Sequence, residues 1–253
     1  MKKLFAANWK MYLSPADSQK LLRAALPLGI KKTGKIELVI CPQFLVLGDL
    51  ADFFKKDRVD VKLGAQDCFW EPRGAYTGEI SAVDLKKIGC FYVILGHSER
   101  RRYLKETDEM INKKLKAAAQ AGLTPILCVG ESAEERKKEI TKEIVKKQIT
   151  EALKGVDFSP GKPLVVAYEP VWAIGSGSAC SAEEASQVAQ FIKLEVGRKL
   201  KKRARVLYGG SVDAGNIVSF LGKKNIDGVL VGGASAKREL LLPLLKRISQ
   251  YAF

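Results

Sequence analysis

The chain has 253 residues, 47% of them hydrophobic, with no long low-complexity linker, so residues 1–253 are expected to form one large α/β domain with a sizeable core. The formal net charge of +15 comes from Lys and Arg scattered through segments such as 31–35, 137–147 and 193–203. There they alternate with apolar positions at helical spacing, as solvated helix faces do. With no nucleic-acid motif present, this argues against specific nucleic-acid binding and for a general attraction of anions. No run approaches the ~18 apolar residues of a membrane span. The N-terminal apolar run breaks at Asn8 and Lys10, too early for a secretory signal, so a cytoplasmic protein with no membrane partner is expected. The five cysteines are odd in number, widely spaced and free of C-x-x-C, which suits buried, reduced thiols. A single histidine, His97, speaks against a multi-histidine metal centre, and the expectation is no metal and no organic cofactor.

Eight short apolar runs follow one another about every thirty residues. They are Leu4–Ala7, Ile36–Cys41, Val59–Ala65, Phe91–Leu95, Leu123–Val129, Leu164–Tyr168, Ala204–Tyr208 and Gly228–Val231. Helical patterns lie between them, several opened by Ser-led caps at Ser14, Ser81, Ser132 and Ser181. Near-continuous apolar strands alternating with helices mean a parallel sheet covered by helices. Eight such units in this length favour a closed (β/α)8 barrel over an open doubly wound sheet, and no G-x-G-x-x-G opens the first unit.

In such a barrel the strand C-termini share one mouth, where chemistry is done. Strand one ends at Asn8-Trp9-Lys10, strand three at Gln66-Asp67 and strand four at His97. Strand six ends at Tyr168-Glu169-Pro170, strand seven at Gly209-Gly210-Ser211 and strand eight at Gly232-Gly233. His97 precedes a helix start at Ser98, and the positive end of a helix dipole disfavours an imidazolium. The plainer reading of His97 alone is a buried, satisfied side chain without chemistry. Pro170 holds Glu169 extended at its strand end. Apolar surroundings destabilise a carboxylate's charged form and make it a stronger base, though taken alone Glu169 reads better as a strand-end partner of a surface lysine. Lys10 is one lysine among many, set apart by its place after an apolar strand. The segment Pro170–Cys180 runs from bulky Val-Trp through an Ile-Gly-Ser-Gly tip to small residues, which reads as a rigid lid with two hinges. Two glycine turns at adjacent strand ends, with Gly175 on the lid, point to backbone amides around a dianion. Together these parts describe proton abstraction beside a carbonyl. A dry carboxylate is the base, a neutral imidazole and a lysine stabilise the enediolate oxygen, and a lid keeps water out and phosphate in.

The chain resembles triosephosphate isomerase over essentially its whole length. The resemblance rests on Ala7-Asn8-Trp9-Lys10-Met11, Gly74-Ala75-Tyr76-Thr77-Gly78-Glu79-Ile80-Ser81, Leu95-Gly96-His97-Ser98-Glu99-Arg100-Arg101, Ala167–Gly175, Tyr208–Val212 and Leu230–Ser235, in this order. Pairing a glutamate base with a neutral histidine is a standard case of environment-tuned acid–base chemistry. The resemblance implies a single TIM barrel that interconverts dihydroxyacetone phosphate and D-glyceraldehyde 3-phosphate, a reaction of glycolysis and gluconeogenesis. By position, Glu169 is implied as base, His97 as electrophile and Lys10 as electrostatic partner. Asn8 would line the site and Glu99 would hold Lys10. Gly175, Ser211, Gly232 and Gly233 would offer amides to the phosphate, while Ile174 and Leu230 would close over Glu169. The Gly74–Gly78 loop is implied to enter a neighbouring subunit, with Thr77 supporting Lys10 and His97 there, which predicts a homodimer. Two departures from the family pattern stand out. Ser178-Ala179-Cys180 replaces a Lys-Thr-Ala-like hinge and marks Cys180 as a candidate for oxidation, and Asp67 stands where Asn is common. The alternatives are another phosphosugar-binding barrel enzyme and a non-catalytic scaffold of this fold.

Overall fold

The computed structural model describes residues 2–25, 36–158, 164–175 and 180–250. The basic segment 31–35 and the lid positions 176–179, which include Ser178 and Ala179, lie outside the described residues. Eight strands pair in parallel, each with the next, and the eighth returns to the first to close a barrel. They are β1 (Lys3–Asn8), β2 (Ile36–Cys41), β3 (Lys62–Ala65), β4 (Cys90–Leu95), β5 (Thr124–Val129), β6 (Leu164–Tyr168), β7 (Ala204–Tyr208) and β8 (Gly228–Val231). Between and after them run α1 (Pro15–Ala25), α2 (Leu47–Lys56), α3 (Ala82–Ile88), α4 (Ser98–Tyr103), α5 (Asp108–Gln120), α6 (Ala133–Lys137), α7 (Thr141–Ala152), α8 (Ala182–Leu200), α9 (Ile217–Leu221) and α10 (Arg238–Gln250).

The strands are apolar on both faces because each face is buried. Inside the barrel, Leu4, Ala6, Val39, Ile94, Ile126, Val165, Ala167 and Leu207 pack together with Cys41 and Cys128. The opposite faces, such as Phe5, Ala7, Leu38, Val93 and Leu127, join the helices in a larger outer core. At the N-terminal end of the barrel, Glu37 accepts from Arg205 at 2.7 Å and from the Tyr92 hydroxyl at 2.6 Å, which pairs polar groups carried by β2, β4 and β7. Among the described residues, no helix is long and apolar enough to cross a membrane.

The third strand is shorter than its apolar run. Val59 and Val61 are buried, yet the Val59 N–H turns back to the Phe54 carbonyl at the end of α2, so it is spent on the helix terminus and not on the sheet. The serine caps are present. Ser14 and Ser81 accept from Asp17 and Val83 amides, and Ser132 and Ser181 form full capping boxes with Glu135 and Glu184.

Candidate active site

One cavity of about 360 Å³ opens at the C-terminal ends of the strands. Asn8, Lys10, His97, Glu99 and Glu169 line it, from β1, β4 and β6. Gly175, Ser211, Gly232, Gly233, Ile174 and Leu230 line it too. Thr77 does not line this cavity; it lies on the exposed stretch 72–79.

Lys10 follows β1 in the left-handed backbone region, with φ of 50°. A non-glycine residue there is uncommon and must be held. The Asn8 side chain accepts the Lys10 N–H at 3.0 Å, and Gln66 donates to the Lys10 carbonyl at 2.8 Å. The ammonium is paired with Glu99. This directs a fixed positive charge into the cavity.

Between β4 and α4, Gly96 adopts φ of 72°, which lets the chain turn sharply from strand to helix. His97 then caps α4: its Nδ1 accepts the Glu99 amide at 3.2 Å. An imidazole that accepts at Nδ1 carries its proton on Nε2, so Nε2–H is the group presented to the cavity. That nitrogen lies 3.2 Å from Oε1 of Glu169.

Glu169 is only 2% exposed. Its Oε2 accepts the Ser98 N–H at 2.9 Å, at the start of α4. Its Oε1 is off the line of the His97 N–H and has no hydrogen-bond partner among the described residues. A buried carboxylate oxygen left unpaired is costly and free to take a proton. Gly209 keeps the space open, since a Cβ there would stand 3.0 Å from Glu169 Cγ. Behind the carboxylate, burial and the negative charge of Glu169 push the Cys128 thiol well up, so it stays neutral beside Glu169.

The segment after Glu169 is anchored. Trp172 donates its ring N–H to Glu131 at 2.8 Å, and Glu131, fully buried, also accepts from the Tyr168 hydroxyl at 3.1 Å. The bulky Val171-Trp172 piece is therefore half-buried rather than loose. At the far end, the Cys180 amide donates to the Tyr208 hydroxyl at 3.2 Å. Cys180 is buried, which runs against an easily oxidised thiol. Gly175 sits between these anchors at φ of 69°.

The sequence reading passed over Ser98 and Glu131. Ser98 follows His97 directly at the helix start, and its amide is a donor that any residue type would supply. Glu131 gave no signal, because its partners Tyr168 and Trp172 are far along the chain. The departure at Asp67 proves to be part of a buried network: Asp67 pairs with Lys114 at 2.6 Å and Arg100 at 2.8 Å, and Lys114 and Arg100 both reach Glu106. Among the described residues, no group of three or more His, Cys, Asp or Glu side chains is placed to hold a metal ion.

A family model described as triosephosphate isomerase matches residues 3–248. The chain is 46% identical to triosephosphate isomerase of Dictyoglomus thermophilum over 249 residues, covering 97% of this chain and 99% of that one. It is 46% identical to that of Caldanaerobacter subterraneus subsp. tengcongensis over 240 residues, covering 93% and 95%. The crystal structure of triosephosphate isomerase from Bartonella henselae superposes with a TM-score of 0.84 at 31% identity, covering 98% of this chain and 99% of that one. Matched along nearly its whole length in sequence and in fold, the chain belongs to the triosephosphate isomerase family.

Proposed function

We propose that this protein interconverts dihydroxyacetone phosphate and D-glyceraldehyde 3-phosphate through an enediolate. The observation that carries the reading is the meeting of Glu169, His97 and Lys10 in one cavity, within a chain of this family. Glu169 Oε1 takes the proton from the carbon beside the carbonyl. His97 Nε2–H and the Lys10 ammonium face the oxygen that gains charge, and both are already oriented, so little reorganisation opposes the step. Glu99 holds Lys10. The Gly175, Ser211, Gly232 and Gly233 backbone lies where the phosphate would be bound, with Lys10 adding charge. Ile174 and Leu230, which line the same cavity, would cover Glu169 and keep water from it. The substrate's hydroxyl proton passes from one oxygen to the other by way of His97 Nε2, the proton held by Glu169 returns to the neighbouring carbon, and no cofactor enters the cycle. Another phosphosugar chemistry or a scaffold role has no observation in its favour. Purified protein assayed in both directions with triose phosphates tests the reading, and an inactive, folded sample overturns it.

The working unit on this reading is a homodimer of one-domain chains in the cytoplasm, where the buried thiols stay reduced. Support comes from the stretch 72–79, which is exposed, and from Met11, 87% exposed, and Tyr103, 67% exposed, near the cavity mouth. Large apolar side chains left in water, together with an exposed loop, suit a second copy. The Gly74–Gly78 loop would place Thr77 against Lys10 and His97 of that copy. Sedimentation at micromolar concentration should give twice the 27.8 kDa chain mass. Thr77→Asp should yield monomers of low activity, and a fully active monomer would remove the dimer from the account.

A further inference from the structure

One side chain outside the cavity touches both anchors that bracket Ile174 and Gly175. Arg136, on α6, lays its guanidinium over the Trp172 ring with its carbon 4.3 Å from the ring centroid. The same group pairs with Glu184 Oε1 at 2.6 Å and comes within 4.0 Å of Glu131 Oε1. Trp172 lies three residues past Glu169, and its ring N–H is held by Glu131. Glu184 closes the capping box of α8 on Ser181, directly after the Cys180 amide that bonds Tyr208. One planar cation thus contacts the indole at the start of this stretch and the helix cap at its end.

We propose that Arg136 is a positioning residue for the isomerisation, its guanidinium holding Trp172 and the Ser181–Glu184 cap at a fixed separation and thereby setting Glu169 and Ile174 over the substrate. A guanidinium suits the task because it stacks flat on an aromatic face while its edge donates to a carboxylate. Lysine can keep the ion pair but not the flat stack. With the two anchors uncoupled, Glu169 loses its register and the enediolate is less well covered. The intermediate then has time for its side reaction, in which the C–O bond to phosphate breaks, the electron pair leaves with inorganic phosphate, and the remaining three-carbon enol tautomerises to methylglyoxal.

This inference rests on the isomerase reading, and the test separates the two. Wild type, Arg136→Ala, Arg136→Lys and Glu184→Gln are compared for kcat, KM, melting temperature and inorganic phosphate released per isomerisation. Glutamine at position 184 keeps the capping box while removing the charge that Arg136 pairs with. Arg136→Ala should lower kcat about tenfold, below the roughly 10²-fold that an ångström of misplacement can cost. It should raise the phosphate released per turnover several-fold, with KM moving less than kcat. Arg136→Lys should recover part of both effects, and Glu184→Gln should shift the phosphate fraction in the same direction. A lower melting temperature with an unchanged phosphate fraction overturns the proposal. If Arg136→Ala does not fold, the fraction measured in Arg136→Lys and Glu184→Gln decides, and wild-type values in both overturn it. Wild type that does not isomerise at all overturns the functional reading instead.

Discussion

His97 Nε2 and Glu169 Oε1 stand 3.2 Å apart, although their strands β4 and β6 are not neighbours in the barrel. The Ser98 amide occupies the other carboxylate oxygen, so the one facing His97 is the one available as base. Glutamine at position 169 keeps an acceptor for Ser98 and nearly the same volume but cannot take a proton. Glu169→Gln should therefore lower kcat by about 10³-fold, within the range expected for loss of a general base. KM and melting temperature should change little, since the packing is preserved. Steady-state kinetics in both directions check this, and activity within tenfold of wild type would remove Glu169 from the role of base.

Asp67 gives the fold a pH dependence with a definite sign. Burial pushes its carboxyl up to about 6, against the pull of Lys114 and Arg100 and with the push of Glu106. In the unfolded chain an aspartate titrates near 3.9. Between these values the folded state binds more protons than the unfolded one, so this group's stabilising contribution fades as pH rises toward 6. Asp67→Asn removes the titration and leaves Lys114 its partner Glu106. The stability of the variant relative to wild type should improve by about 1 kcal/mol between pH 5 and pH 7. Urea unfolding at the two pH values measures it. A difference that is constant, or that moves the other way, would mean Asp67 stays ionised throughout.

All five cysteines are free and buried. Burial pushes the Cys90 and Cys180 thiols up to about 12, with the charge of Glu184 adding to the effect at Cys180. Cys41, Cys68 and Cys128 are pushed higher still, mainly by burial. At pH 8 a thiol of that kind is thiolate in only about one molecule in 10⁴, and the thiolate is the reactive form. A disulfide reagent should find no fast-reacting thiol in the native protein and five after unfolding. Rapid labelling of Cys180 in the native protein would show that the hinge opens far more readily than its packing implies.

Much of this architecture could be read from the chain because a parallel barrel buries both faces of every strand. Runs such as Leu164–Tyr168 therefore stand out without any alternation to interpret, and the residues that follow each run are placed at the mouth by topology alone. Local rules also sufficed where they act over four residues, as in the boxes at Ser132 and Ser181. They failed where hydrogen bonding is decided elsewhere: Val59 looks like strand but donates to the end of α2. Glu131 and Arg136 were illegible for a related reason. Next to Ser132 and Glu135 they look like ordinary residues of a short charged helix, and only the return of Trp172 and Glu184 gives them partners.

Gly130 shows the same dependence on distant chain, and it is the most demanding position near the site. A Cβ there would lie 1.7 Å from the Glu169 carbonyl oxygen and 2.5 Å from its carbonyl carbon, both backbone atoms that cannot swing aside. The strand ends are also tied, with the Glu169 amide bonded to the Val129 carbonyl at 2.7 Å and the Gly130 amide to the Gln148 side chain at 2.8 Å. A methyl group at Gly130 must therefore push the end of β6, and Glu169 with it, away from β5. Gly130→Ala should cost about 2 kcal/mol or more, in the range of overpacking substitutions. For a chain of this size that lowers the melting temperature by about 4–8 °C. Activity should fall further than stability, at least tenfold in kcat at a temperature where the variant is folded, because the displaced atom belongs to Glu169, the proposed base. Gly48→Ala is the matched control. It lies in α2 with open space around the added methyl, and alanine there should stabilise by about 0.5–1 kcal/mol. If Gly130→Ala matches Gly48→Ala in melting temperature and kcat, the close approach of β5 to Glu169 does not hold in solution.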